Sequence, residues 1–123
     1  MIRLVCFGRL RSEWKPVQDH YLSMISPHLR VEIVEKWSGK TAGRIFIFDR
    51  DGRPASGGDF EKMLSGATLF IGSKEGLPEN VPAGERLSLS HLTFSHQLAR
   101  IAVLEQIYRA VCRLKNLPFT RTL

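Results

Sequence analysis

Hydroxyls and imidazoles alternate with large apolar side chains from position 87 to 96, where the chain reads Leu87-Ser88-Leu89-Ser90-His91-Leu92-Thr93-Phe94-Ser95-His96. Beyond His96 the apolar residues fall at helical spacing, so the stretch reads as a strand or loop that feeds a helix, with Ser95 placed to cap its first turn. A loop of hydroxyls and backbone amides that ends at a helix N-terminus, walled by Leu and Phe, suits a flat ligand with a polar edge. An ordinary strand-to-helix connection has the same composition, and these residues alone leave both readings open. His96 is adjacent to both the loop and the helix, and a general base and a residue that caps the turn are both open to it. His20 and His28 read as surface residues.

The other chemistry-bearing positions lie where strands end. Ile45-Phe46-Ile47-Phe48 is a short apolar strand that stops at the turn sequence Asp49-Arg50-Asp51-Gly52, and Thr68-Leu69-Phe70-Ile71 stops at Gly72-Ser73-Lys74-Glu75-Gly76. Ligands in open α/β sheets sit at carboxyl ends of strands, so Phe48, Gly72 and Leu89 are expected to converge on one pocket. The glycines allow a sharp turn or a close approach of backbone to ligand, but their spacing fits neither a Walker loop nor a dinucleotide fingerprint. Glu105 and Arg109 stand four apart and read as an ion pair on a helix surface, or else Arg109 faces a partner's pocket.

These positions need elements to hold them. Ile2–Phe7 reads as a buried strand, Arg11–Ile25 as a helix capped by Ser12, Val31–Lys36 as a strand near a sheet edge, and Ser56–Leu64 as a short helix with Asp59 near its start. With the strands above, the order is β-α-β-β-α-β-β-α, which predicts one α/β domain over residues 1–123 with a mostly parallel sheet and helices on its faces. On the last helix, residues placed at about 100° per step fill an apolar arc of roughly 200°, wider than one packing face needs, so a second copy of the chain is expected to cover part of it. Arg100 lies at the centre of that arc and needs an anionic partner, for which Asp49 and Glu75 are the expected candidates and a ligand the alternative.

Composition narrows the class. The 123 residues are 43% hydrophobic and 24% charged, as in a globular domain. No run approaches the ~18 apolar residues of a membrane span, and the N-terminus lacks a signal peptide, so a cytoplasmic protein with no membrane partner is expected. Cys6 and Cys112 lie in apolar runs with no metal-ligand spacing, which predicts buried reduced thiols and no metal. The net charge of +6 is concentrated at the ends: residues 97–123 carry five Lys or Arg against one acid. Such an excess fits a polyanion such as RNA.

Three ordered blocks, Leu69-Phe70-Ile71-Gly72-Ser73-Lys74-Glu75-Gly76-Leu77, Leu87 to His96, and Glu105-Gln106-Ile107-Tyr108-Arg109-Ala110, make the chain resemble the small SPOUT methyltransferases that modify a pseudouridine at ring nitrogen three in large-subunit ribosomal RNA. The resemblance implies an α/β domain with a C-terminal trefoil knot, a homodimer built on the last helix, and S-adenosylmethionine held by the knot loops. It places cofactor contacts on Phe48, Gly72, Leu89, Ser90, His91, Leu92, Thr93 and Phe94. It makes His96 and Arg109 the catalytic candidates and Arg100 and Arg121 candidates for binding ribosomal RNA or the ribosome. The chain departs from the family pattern at Ser73, Lys74 and Ser95, in the tail Leu117-Pro118-Phe119-Thr120-Arg121, and in a shorter segment between Lys36 and Ile45. An RNA-binding or ribosome-assembly dimer that kept the fold without turnover, or a related enzyme acting on another RNA, would carry the same blocks.

Overall fold

The structure, a computed structural model, describes residues 1–118. Five strands, β1 (Ile2–Cys6), β2 (Val31–Val34), β3 (Arg44–Pro54), β4 (Ala67–Ile71) and β5 (Glu85–Ser88), form one sheet in the order β2-β1-β4-β3-β5. Every neighbouring pair is parallel. The helices are α1 (Lys15–Ile25), α2 (Gly57–Met63) and α3 (His96–Lys115).

All three helices cover the same face of the sheet. Alternation along the strands sends Ile2, Leu4, Cys6, Phe46, Phe48, Leu69, Ile71 and Leu87 into one cluster with residues of α1, α2 and α3. The other face carries Val5, Ile47 and Phe70, fully buried without a helix. Phe7 and Trp37 pack on Phe70 there, the latter edge-on at 5.1 Å. Leu77 and Val81 complete the cover, because the connection from β4 to β5 must return along the sheet to start a parallel strand. The sheet is flanked by helices as expected, with all three on one face.

α3 lies between α1 and α2, and this accounts for its wide apolar arc. Val103, Leu104, Ile107, Ala110 and Cys112 are fully buried within one chain, and Val111 nearly so. The arc faces the sheet and two flanking helices, so its width does not require a second copy. What remains exposed is Leu98 and Leu114 on α3 and Val17 on α1, at 40%, 67% and 38%.

α1 begins later than its sequence suggests. Ser12–Trp14 form a 3-10 turn, Ser12 makes no cap, and the α-helix opens at Lys15 with Pro16 in its first positions, where the missing N–H costs nothing. α2 and α3 start as expected. Ser56 and Asp59 make a reciprocal capping box, and Ser95 Oγ accepts from the Leu98 N–H at 3.2 Å. α3 ends on Asn116 in the left-handed conformation, with φ of 58°.

β3 does not stop at Asp49. Phe48 and Arg53 both stand opposite Leu87 of β5, so residues 49–52 loop out and the strand resumes through Pro54. Asp49 closes the excursion, accepting from the Asp51 N–H at 3.1 Å and from Arg86 at 2.7 Å. Gly52 is required where the chain rejoins, because a Cβ there would lie 2.7 Å from the Leu87 nitrogen. Arg53 then ties the resumed strand to α2 and β5 through Asp59 at 2.8 Å and Glu85 at 2.7 Å.

Arg100 is the largest fully enclosed side chain of the core. Its partners are neither Asp49, held by Arg86, nor Glu75, held by the Ser73 hydroxyl. The first turns of α3 lie beside the ends of β1 and β2, so the guanidinium donates to the Gly8 carbonyl at 2.6 Å, Glu35 at 3.0 Å and Gln18 at 3.2 Å. Glu35 also accepts from the Leu10 N–H at 3.1 Å. A structural pairing is thus found, with a different carboxylate.

Two outcomes are expected. Arg100→Leu strands the Gly8 and Gln18 acceptors, while Glu35, already part-exposed, can rehydrate; urea unfolding should show a loss of about 2 kcal/mol rather than the full cost of an unpaired buried charge. The Arg53 guanidinium, with the Ser56 bonds, holds the Asp59 carboxyl down at about 2 against its ordinary 3.8. A depressed carboxyl stabilises the fold above its unfolded value, so this contribution, about 2 kcal/mol, should be lost as pH falls from about 4 to 2. In Asp59→Asn, melting temperature at pH 7 should drop and vary less over that range.

Candidate active site

The carboxyl ends of β1, β3, β4 and β5 open into one cleft of ≈ 1620 Å³, roofed at one side by the first turn of α3. That exceeds the roughly 300–1,000 Å³ of a single small-molecule site, so it has room for a cofactor-sized molecule and a second ring beside it. Each wall has a local cause. Gly8, just past β1, starts the loop through Arg9 and Arg11 to Trp14; the β3 excursion brings Asp49 and Arg50; the turn after β4 brings residues 72 to 79. The segment after β5 supplies Ser88, Leu89, Ser90, Leu92, Thr93 and Phe94.

The β4 turn is tight. Ser73 and Gly76 exchange backbone hydrogen bonds of 3.2 and 2.9 Å, and Gly76 takes a φ of 92°. A Cβ on Gly72 would lie 2.8 Å from the Gly76 carbonyl carbon, so this glycine is needed to close the turn; it does not hold a side chain clear of the cleft. Glu75 is held below the usual carboxylate range, first by the Ser73 hydroxyl and also by neighbouring Lys74.

After β5 the chain is fixed by its own side chains. Ser88 Oγ donates to the Ser90 carbonyl at 2.7 Å and Ser90 Oγ accepts from the Leu92 N–H at 3.0 Å. Among the described residues no protein acceptor meets the N–H groups of Leu89, Ser90, His91, Thr93 or Phe94. Donors left in this way beside apolar walls suit the edge of an adenine, and Leu89 and Phe94 are half-buried against the core. Phe48 reaches the cleft with an edge only, since its ring stacks on Phe60 at 6.0 Å.

At the start of α3, Gln97 is buried and holds the β1 loop with both arms of its amide. Its oxygen accepts from the Arg11 N–H and its nitrogen donates to the Arg9 carbonyl, each at 2.8 Å. The same nitrogen lies 2.6 Å from His96 Nε2. The imidazole is pressed on Gly8, where a Cβ would come within 2.6 Å of the ring.

Of the sequence-predicted residues, the fold brings together Phe48, Gly72, Leu89, Ser90, Leu92, Thr93, Phe94 and His96. His91 is exposed and does not line the cleft. Arg100 lies beneath it, with the core partners described above. Arg109 is on the far part of α3, 3.8 Å from Glu105, whose carboxylate also accepts from Tyr21 at 2.9 Å. Arg121 falls outside the described residues. Arg9, Arg11 and Trp14 are lining residues that the sequence reading missed, although they follow the carboxyl end of β1 and the strand-end rule applied there equally. Gln97 carried no signal, because its partners are main-chain atoms of a distant loop.

Cys6 is not a candidate nucleophile: burial pushes its thiol up to about 12. Among the described residues no group of His, Cys, Asp and Glu could hold a metal, and no helix is long and apolar enough to cross a membrane.

A family model described as "Predicted SPOUT methyltransferase" matches residues 38–119. The chain is also similar to proteins named "Ribosomal RNA large subunit methyltransferase H". The one from Thermodesulfovibrio yellowstonii is 35% identical over 115 residues, covering 76% of this chain and 79% of that protein. Those from Dictyoglomus thermophilum and Synechococcus sp. are each 30% identical, covering 96% and 98% of this chain and 97% and 95% of theirs. The Dictyoglomus alignment runs to 149 residues, so it includes positions that this 123-residue chain lacks. A five-stranded parallel sheet with its cleft at the strand ends, matched over two thirds of the sequence, places the chain in the SPOUT methyltransferase family.

Proposed function

We propose that this protein transfers a methyl group from S-adenosylmethionine to a pseudouridine of large-subunit ribosomal RNA, working in the cytoplasm as a homodimer. The observation that carries this reading is the cleft itself, where Leu89, Ser90, Thr93 and Phe94, whose N–H groups meet no acceptor among the described residues, line the same space as the turn after β4. The residues present fit the cofactor: apolar Leu89, Leu92 and Phe94 for the adenine, loop amides for its edge, and ionised Glu75 for a ligand that carries a sulfonium and an ammonium. When bound, the cofactor supplies a methyl on a sulfonium, so transfer breaks the bond to sulfur, forms the bond to ring nitrogen and leaves the N–H proton to solvent. The chain's own work is to align the base, exclude water and meet the charge that develops on it.

Arg9, Arg11, Arg50 and Lys74 stand around the mouth of the cleft, where they would meet the phosphates flanking a base. The homodimer is supported by the exposed apolar residues of the helices, Leu98 and Leu114 on α3 and Val17 on α1. Bonds from Arg11 to Gln97, Gln18 to Arg100 and Tyr21 to Glu105 run α1 and α3 side by side in the same direction, so exposed Val17 and Leu98 share one end of that pair. Support for the knot is topological: the chain after β4 passes β3 to reach β5, and the chain after β5 crosses back to start α3 beside β1.

Titration calorimetry should show S-adenosylmethionine binding, and radiolabelled methyl should pass to ribosomal RNA or ribosomal particles. Absence of cofactor binding would favour the non-catalytic RNA-binding dimer. Gly72→Ala should weaken cofactor affinity at least tenfold, since the turn must open; an unchanged affinity would remove the β4 turn from the site. Light scattering should give twice the 14.0 kDa chain mass, and Leu98→Glu should shift it toward the monomer.

A further inference from the structure

The amide of Gln97 can be assigned without ambiguity. The Arg11 N–H can only donate and the Arg9 carbonyl can only accept, so the oxygen must face the first and the nitrogen the second. The atom 2.6 Å from His96 Nε2 is therefore an NH2 nitrogen, which has no lone pair to offer. His96 Nε2 must accept, and the ring proton must sit on Nδ1. The Cδ2–Nε2 edge of the ring is turned to Gly8 and Gln97. Among the described residues, Nδ1 has no hydrogen-bond partner, and the ring lines the cleft.

We propose that Gln97 is a positioning residue that fixes His96 as the neutral Nδ1–H tautomer, so that His96 meets the substrate as a hydrogen-bond donor and not as a base. This rests on reading the cleft as the methyl-transfer site. A uracil-type ring carries a carbonyl on each side of its imide nitrogen, and the charge left when the imide proton departs spreads onto those oxygens. A fixed neutral donor aimed at one of them stabilises that charge without needing a change of its own protonation. The same Gln97 amide holds the loop that carries Arg9 and Arg11, so base edge and phosphates are registered to one side chain.

The test is nuclear magnetic resonance of protein labelled with 15N-histidine, with long-range correlations through the ring protons and the His96 signals assigned by their loss in His96→Asn. The wild type should show Nδ1 protonated and Nε2 bare. In Gln97→Met, which has similar reach but no amide, the signal should move toward Nε2–H; turnover should fall roughly tenfold or more while the KM for S-adenosylmethionine stays within about twofold. Gln97→Glu keeps an acceptor for the Arg11 N–H but places a carboxylate at Nε2, and should convert the ring to Nε2–H; it decides the matter if Gln97→Met does not fold. A wild-type Nε2–H ring, or Nδ1–H retained in either folded variant, overturns the assignment. The stated tautomers in a wild type that transfers no methyl would uphold Gln97's hold on His96 and overturn the reading of the cleft instead.

Discussion

The buried Arg100 guanidinium is the contact on which the rest of the site depends. A charge enclosed in the core is costly to desolvate, and the cost is offset only when geometry supplies several hydrogen bonds at once. Here they come from three separate parts of the chain: the Gly8 carbonyl just past β1, a side chain of α1 and a carboxylate just past β2. Satisfying one residue of α3 therefore fixes where that helix begins relative to two strands and a helix. Gln97, one turn earlier on the same side, extends the hold to Arg9 and Arg11. His96 and the basic loop at the mouth of the cleft inherit their positions from these two buried polar side chains.

The sheet adds a second constraint. An all-parallel order needs long connections, and with every helix on one face the β4–β5 connection has to cover the other. Leu77 and Val81 do so, and the turn that starts that connection is also a wall of the cleft. The apolar cover and the ligand wall are thus one segment, which limits how freely the β4 turn can move. Within that segment Ser73 and Gly76 exchange backbone hydrogen bonds, with Gly76 left-handed.

Much of this was legible in sequence because it depends on local pattern. Apolar runs gave the strands, Ser56 with Asp59 and Ser95 gave two helix starts, and strand ends gave Phe48, Gly72 and Leu89 as one site. What escaped is what long-range geometry decides. Asp49-Arg50-Asp51-Gly52 is a turn by composition and does turn, but nothing local says that Arg53 rejoins β5 opposite the same Leu87. Arg100 was recognisably in need of an anion, yet the choice of Glu35 follows from the placing of β2 beside β1, which periodicity cannot show. The wide arc of α3 was read correctly as needing cover on more than one side, and α1 and α2 supply it before any second copy does.

Polar satisfaction then separates scaffold from site. Among the described residues no buried side-chain nitrogen or oxygen lacks a partner, even at Arg100, Gln97 and Asp59, where enclosure makes an unmet group most costly. The segment after β5, exposed at residues 91–93, is held differently: two serines tie it into shape, and among the described residues the N–H groups of Leu89, Ser90, His91, Thr93 and Phe94 meet no protein acceptor. Under the proposed function, that backbone offers donors to acceptors the chain does not itself provide.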